Sequence, residues 1–384
     1  MSKKLKSNYV LPVLMSFFVM SFIDMVGIGV DRVKPDFHLS NTLAQLIPSA
    51  AFLWFFILAV PIGVLQDYFG KRNVLSIGMA VTALGLLLPF LIYSFTMVLI
   101  GFAFLGVGNT IVQVSANPLL VDVVPSHRRS SFLSFSQFVK SIGSMLAAPL
   151  AGWFALKYGN WKILFLASGI VSVLTVLWLE GTRIEETRNV KERATFASSF
   201  KLLGIGYVSM MVLCIFLIVG IDVGVNAVSG QFLLSKFQSS QTFAESGRSV
   251  YFFGKMLGTF GGALLLTILP SRKFFLWSSL LSVLSILTLL VVPTQVTAMI
   301  IIFIIGLGVS NIFPLVFSLS IEKYPERTNE ISGLMIMAVS GGAVIPLLIG
   351  WITDLSSSVT IGMVVLLICA IYELFAALYN LKRN

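Results

Sequence analysis

The stretch from Asn73 to Val121, NVLSIGMAVTALGLLLPFLIYSFTMVLIGFAFLGVGNTIVQVSANPLLV, contains no charged side chain. It is long enough for two membrane spans of roughly 20 residues each, with the reversal near Ser94. A second charge-free stretch, Phe274 to Ile321, reads the same way, with its turn near Pro293. Lipid offers no partners to open backbone groups, so helices are the expected spanning form. Counting apolar runs against charged or turn-rich breaks predicts about twelve of them, an all-α integral membrane fold. Composition points the same way. Hydrophobic residues make up 57% of the 384 and charged ones only 11%, against about 25% charged in soluble domains.

The formal net charge of +10 invites a nucleic-acid reading, but its distribution argues against one. With the N-terminus inside and twelve spans, the inside segments hold most of the cations. They include Lys3, Lys4, Lys6, Lys71, Arg72, Arg128, Arg129, Arg272, Lys273, Lys323, Arg327 and Lys382. This is the positive-inside bias, and it predicts both termini in the cytoplasm. The two cysteines, Cys214 and Cys369, fall in apolar spans and suggest neither disulfide nor metal site. The first apolar run follows a Lys-rich start, yet eleven further spans come after it and no clear small-residue cleavage site does. It reads as a retained helix.

An internal repeat organises the chain. Gly106-Val107-Gly108 recurs 200 residues later as Gly306-Leu307-Gly308, Pro125 as Pro325 and Arg72 as Arg272. Slightly out of register, Pro149 and Gly152-Trp153 recur as Pro346 and Gly350-Trp351. The expected organisation is a six-helix bundle over 1–181, a cytoplasmic linker over 182–202 and a second six-helix bundle over 203–384. Two like-oriented halves are the parallel repeat of one large transporter class. Between spans 2 and 3, Gly63-Val64-Leu65-Gln66-Asp67-Tyr68-Phe69-Gly70-Lys71-Arg72 resembles the G-x-x-x-D-x-x-G-x-[RK] signature of the major facilitator superfamily. Asp67, Gly70 and Arg72 are therefore gating candidates: Asp67 can pair with nearby arginines, and Gly70 permits a tight reversal.

A narrower resemblance runs through four elements in order. They are Ser115-Ala116-Asn117-Pro118-Leu119 in span 4, Val219-Gly220-Ile221-Asp222-Val223 in span 7, Phe313-Pro314-Leu315-Val316-Phe317-Ser318-Leu319 in span 10 and Gly341-Gly342-Ala343-Val344-Ile345-Pro346 in span 11. These are similar to elements of the fucose/glucose–galactose proton symporter family. The resemblance implies proton-driven monosaccharide uptake across the bacterial inner membrane. It also implies departures. The family's span-4 acid falls at Gln113, which cannot titrate, and its span-8 arginine at Lys255. Its span-1 acid falls nearest Gly27, with Asp24 one turn away.

Ionisable side chains inside spans are costly and so are functional candidates by default. Asp24 in span 1, Lys140 in span 5, Asp222 in span 7 and Lys255 in span 8 form one acid and one base per half. Asp24 leads as the proton-coupling site, followed by Asp222, with Lys140 as the expected partner of Asp24; static helix-tying pairs are the plainer alternative. Substrate-binding candidates are these four together with the amides Gln45, Gln113, Asn117, Gln137, Asn226 and Asn311. An amide donates and accepts, which suits vicinal hydroxyls, although such residues also serve as helix–helix glue. Glu373 is expected to snorkel to water, and Asp122 and Asp354 to be solvated at span ends.

The expected function is secondary active symport by a monomer in the lipid bilayer, with the proton gradient as coupling source and no cofactor or bound metal. A sugar acid or other small organic anion is the rival substrate, since two buried lysines suit a carboxylate. A membrane enzyme is disfavoured because His38 and His127 lie in different loops and neither belongs to a visible acid–histidine or cysteine–histidine cluster.

Overall fold

The structure, a computed structural model, describes residues 7–39, 46–184, 186 and 196–382. Among them are helices and no strand. Among the described residues, eleven helical stretches are long and apolar enough to cross a membrane. The twelfth span is the 25-residue helix Gln241–Leu265, made more polar by Arg248 and Lys255. The all-α, twelve-span fold expected from the sequence is the one observed.

Span 1 comprises Ser7–Met20, a 3₁₀ turn at Ser21–Met25 and Val26–Asp36. Spans 2 to 6 are Leu46–Phe69, Lys71–Leu91, Phe95–Val123, Arg129–Tyr158 and Ile163–Glu180. After a short helix at Phe196–Lys201, spans 7 to 9 are Gly206–Phe237, Gln241–Leu265 and Ser271–Val291. Span 10 is broken into Gln295–Val309 and Ile312–Lys323, and span 11 into Thr328–Met337 and Gly341–Ser356 around a 3₁₀ turn. Val359–Gly362 and Val364–Lys382 complete span 12.

The reversals follow local chemistry. Ser94 caps span 4 by accepting from Met97 N at 3.3 Å, and Thr294 caps span 10 by accepting from Thr297 N at 3.2 Å. Before span 3, Gly70 has φ +84°, a backbone that side chains resist, so the expected tight reversal rests on its missing Cβ.

Contacts divide the chain into two compact units. The first takes the chain through Arg129, then Val139–Leu202 and Tyr324–Met337; the second takes Ser130–Phe138, Leu203–Lys323 and the chain from Ala338 onward. Each is held by close helix approach at glycine. In the first, a Cβ on Gly106 would overlap the Ala51 carbonyl, and one on Gly108 would meet Thr82 N at 2.5 Å. In the second, a Cβ on Gly306 would overlap the Tyr251 carbonyl, and one on Gly308 would meet Ser282 N at 3.0 Å. Both partners shift by the same 200 residues. The repeat in the letters is thus a repeat of contacts, because only glycine lets these backbones approach so closely.

Candidate functional site

In the first unit, the site forms around the break in span 1. A 3₁₀ turn within a helix marks strain or a hinge, and here it carries Asp24. The Met20 carbonyl at the break accepts from Asn109 Nδ2 of span 4 at 2.8 Å. Gln113 Nε2 donates to Asn109 Oδ1 at 2.9 Å, and Asn117 Nδ2 donates to the Gln113 carbonyl at 2.9 Å. Residues four apart share a helix face, so the three amides form a ladder. Its last rung is incomplete: Asn117 Oδ1 is buried and, among the described residues, has no partner.

Asp24 Oδ2 accepts from Ser144 Oγ of span 5 at 2.5 Å. The neighbouring Gly143 explains the approach, since a Cβ there would overlap the Ser21 side chain. The expected ion pair between Asp24 and Lys140 is not formed. Lys140 lies one turn before Ser144, and among the described residues its ammonium has no carboxylate within 4.0 Å. A hydroxyl close enough to donate takes the carboxylate instead. Gln137 lies further along the same helix, half-buried, and counts with the second unit. Gln45 lies outside the described residues.

In the second unit, Asp222 of span 7 is held by two donors from span 8. Lys255 Nζ lies 2.5 Å from Oδ2, and Tyr251 Oη donates to Oδ1 at 2.6 Å. Tyr251 and Lys255 are four apart on one helix face. The ion pair was expected; the tyrosine was missed, although its i−4 spacing from Lys255 was the available signal. Asn226 lies one turn beyond Asp222, half-buried, and its buried Oδ1 has no partner among the described residues. Asn311 sits at the break in span 10. Its Nδ2 donates to the Gly258 carbonyl at 2.7 Å and to Ser310 Oγ at 2.8 Å, while Oδ1 has no partner among the described residues. Asn117, Asn226 and Asn311 thus each hold an unused carbonyl oxygen, the feature a hydroxyl-rich solute can satisfy.

Around the expected gate, Lys71 Nζ pairs with Asp122 Oδ2 at 2.6 Å, both side chains under 10% exposed. This corrects the expectation of a solvated Asp122: spans 3 and 4 pack side by side, so the start of one meets the end of the other. Arg72 reaches Glu180 at 3.0 Å and the Leu179 carbonyl at 3.2 Å. Glu186 Oε2 and Oε1 accept from the first two backbone N–H groups of span 3, at 2.8 and 3.0 Å. A carboxylate there is favoured by the helix dipole. The Asp67 and Asp354 side chains lie outside those described.

Glu373 is a second correction. It is fully buried, and among the described residues the group set against its carboxyl is the Cys214 thiol, a weak donor. It lies midway along a helix packed on spans 7 and 9, and a short glutamate stem cannot reach the end. Among the described residues no group of three or more His, Cys, Asp or Glu could hold a metal.

Comparison with known proteins gives this geometry its context. The glucose/galactose transporter of Brucella abortus (strain 9-941) is 25% identical over 387 residues, covering 95% of this chain and 92% of the relative. The putative glucose/galactose transporter of Helicobacter pylori (strain 26695) is 26% identical over 397 residues, covering 96% and 95%. Among solved structures, the transporter FucP in the outward conformation superposes with a TM-score of 0.85 at 18% identity, covering 97% of this chain and 99% of that one. The family profile of the Major Facilitator Superfamily matches residues 13–221, more than half of the sequence. With that match, the twelve-span fold and the repeated glycine contacts, the chain belongs to the major facilitator superfamily.

Proposed function

We propose that the chain is a proton-driven symporter that takes up a monosaccharide by alternating access. The observation that carries this reading is Asp24: a carboxylate at a helix break, with one hydroxyl donor, beside a span-4 ladder of neutral amides. Gln113 cannot titrate, so Asp24 is the leading proton-coupling site in its unit. Asp222 is the second candidate; it is held by Lys255 and Tyr251, and the first must be released before it can change charge. The hydrogen-bonding faces of Gln113, Asn117, Gln137, Asn226 and Asn311 are assigned to sugar hydroxyls, together with the four ionisable residues and Gln45. Asp67, Gly70 and Arg72 belong to the gate. The names of the full-length relatives support a hexose substrate and the bacterial inner membrane, and the positive-inside bias supports cytoplasmic termini. We assign a monomer of two six-helix halves, 1–181 and 203–384, joined by the linker 182–202.

The test uses purified protein in proteoliposomes. Asp24→Asn should keep sugar counterflow while losing accumulation driven by a proton gradient. Accumulation against a gradient by Asp24→Asn would overturn the reading.

A second reading, transport of a sugar acid, is favoured by Lys140, whose ammonium has no carboxylate partner among the described residues. An unpaired cation inside a span is expensive, and a substrate carboxylate would relieve it. Under this reading neutral sugars fail to bind and Lys140→Met abolishes affinity for an acidic one. Under the leading reading, Lys140→Met impairs coupling more than binding.

A further inference from the structure

A proton-carrying carboxyl inside a span has to be hydrogen-bonded in both of its states, because an unmet polar group in hydrocarbon is costly. Ser144 is placed to serve both. Its Oγ lies 2.5 Å from Asp24 Oδ2 and 3.2 Å from the Lys140 carbonyl oxygen of its own helix. A hydroxyl has one hydrogen and two lone pairs, so it donates to one of these acceptors at a time. Rotation about the Cβ–Oγ bond exchanges them, and bonding to the carbonyl four residues back is common for serine in helices.

We infer that Ser144 is the positioning residue of Asp24, a two-way hydrogen-bond partner that turns each time the carboxyl gains or loses a proton. With Asp24 ionised, the Ser144 hydroxyl hydrogen points at Oδ2. When a proton from water bonds to Oδ2, the new carboxyl O–H donates to Ser144 Oγ. The serine hydrogen then turns to the Lys140 carbonyl. One proton is gained, no protein bond is broken and neither polar group is left unmet. The inference rests on the reading of Asp24 as the proton carrier.

The surroundings favour this exchange. From Tyr9 to Val30, span 1 carries no charged side chain besides Asp24. Span 4 turns neutral amides to the break, with Asn109 tied to the Met20 carbonyl. Span 5 brings the ammonium of Lys140, which forms no ion pair among the described residues. Gly143 holds span 5 against Ser21, so the hydroxyl keeps its place while its hydrogen moves.

The experiment measures protonated Asp24 directly and needs no substrate. Dicyclohexylcarbodiimide, which modifies carboxyls in their protonated form, is applied to the full chain in lipid across a pH series. Modification of Asp24 is then quantified by mass spectrometry. In Ser144→Ala the ionised form loses its charge-assisted donor, so the labelling midpoint should move up by about one pH unit. Ser144→Thr, which keeps the hydroxyl, should match the parent, and Ser144→Cys, a weaker donor, should fall between. If Ser144→Ala fails to fold, the cysteine variant carries the test. An unchanged midpoint in Ser144→Ala, or in Ser144→Cys where it stands in, overturns the inference, as does absence of Asp24 labelling at every pH. Transport coupling fails separately, if Asp24→Asn still accumulates sugar.

Discussion

Lys255 and Asp222 join spans 8 and 7 through an ion pair of 2.5 Å whose second carboxylate oxygen is taken by Tyr251. Removing one partner of such a pair strands the other, at a cost of about 3–5 kcal/mol in buried settings. Both side chains keep some exposure, so the cost falls at or below the lower end of that range. Lys255→Met should therefore lower stability by about 2–3 kcal/mol. Adding Asp222→Asn should recover part of the loss. Thermal unfolding in detergent would measure both, and a double variant no better than the single would argue that the pair is not the source.

The repeated glycine contacts make a paired prediction. Gly106→Ala and Gly306→Ala each force a methyl into a carbonyl, of Ala51 and Tyr251 respectively. Each should destabilise by about 1–3 kcal/mol, the usual cost of overpacking. Gly152→Ala, with nothing within 4 Å, should be close to neutral. Comparable tolerance of all three alanines in an unfolding assay would contradict the packing account.

Glu373 invites the opposite experiment. A fully buried carboxyl that faces, among the described residues, the weak thiol donor of Cys214 gains little from its polar atoms there. Glu373→Met, similar in volume and apolar, should raise stability by about 1 kcal/mol or more. A lower unfolding midpoint for Glu373→Met would show that the carboxyl has a stabilising role.

At the turn between spans 3 and 4, Tyr93 Oη donates to Asp36 at 2.5 Å. Burial, and then the Asp36 carboxylate, push the Tyr93 phenol well above its ordinary value. A group raised in the folded state contributes stability below its unfolded value, near pH 10, and loses it as pH climbs further. The Tyr93→Phe variant should therefore be less stable by about 1 kcal/mol at neutral pH and show a flatter loss of stability above about pH 10. Parallel alkaline limbs for parent and variant would remove Tyr93 as the cause.

Much of the fold was legible because lipid imposes its constraint residue by residue. Asn73 to Val121 could only be two helices, and a letter repeat of 200 became a contact repeat because glycine marks close approach. The candidate site was legible only in part. Asp24, Asp222 and Lys255 stand out because ionisable residues are rare in spans. Their partners do not: Ser144 and Tyr251 are ordinary in composition, and their roles depend on how neighbouring helices rotate. Pairing Asp24 with Lys140 followed from charge and from the nearness of spans 1 and 5 that the family resemblance implies, whereas the carboxylate is taken by Ser144, one turn further on. Asp122 and Glu373 were misjudged for a related reason. Position along a helix says how near an end lies, but not which face meets another helix.

The breaks in the helices fall unevenly between the two copies of the repeat. Span 1 is interrupted at Ser21–Met25, while its counterpart, span 7, runs unbroken over Gly206–Phe237. Span 10 is interrupted beside Asn311, while its counterpart, span 4, is continuous over Phe95–Val123. Span 11 is interrupted too, at Ala338–Ser340, while its counterpart, span 5, is continuous over Arg129–Tyr158. The joint in span 1 carries an acid, and the joint in span 10 a neutral amide. On the proposed reading, the span-1 joint serves the proton and the span-10 joint the hydroxyls of the solute. A change grafted from one copy to its counterpart would land on a straight helix with no joint to act on.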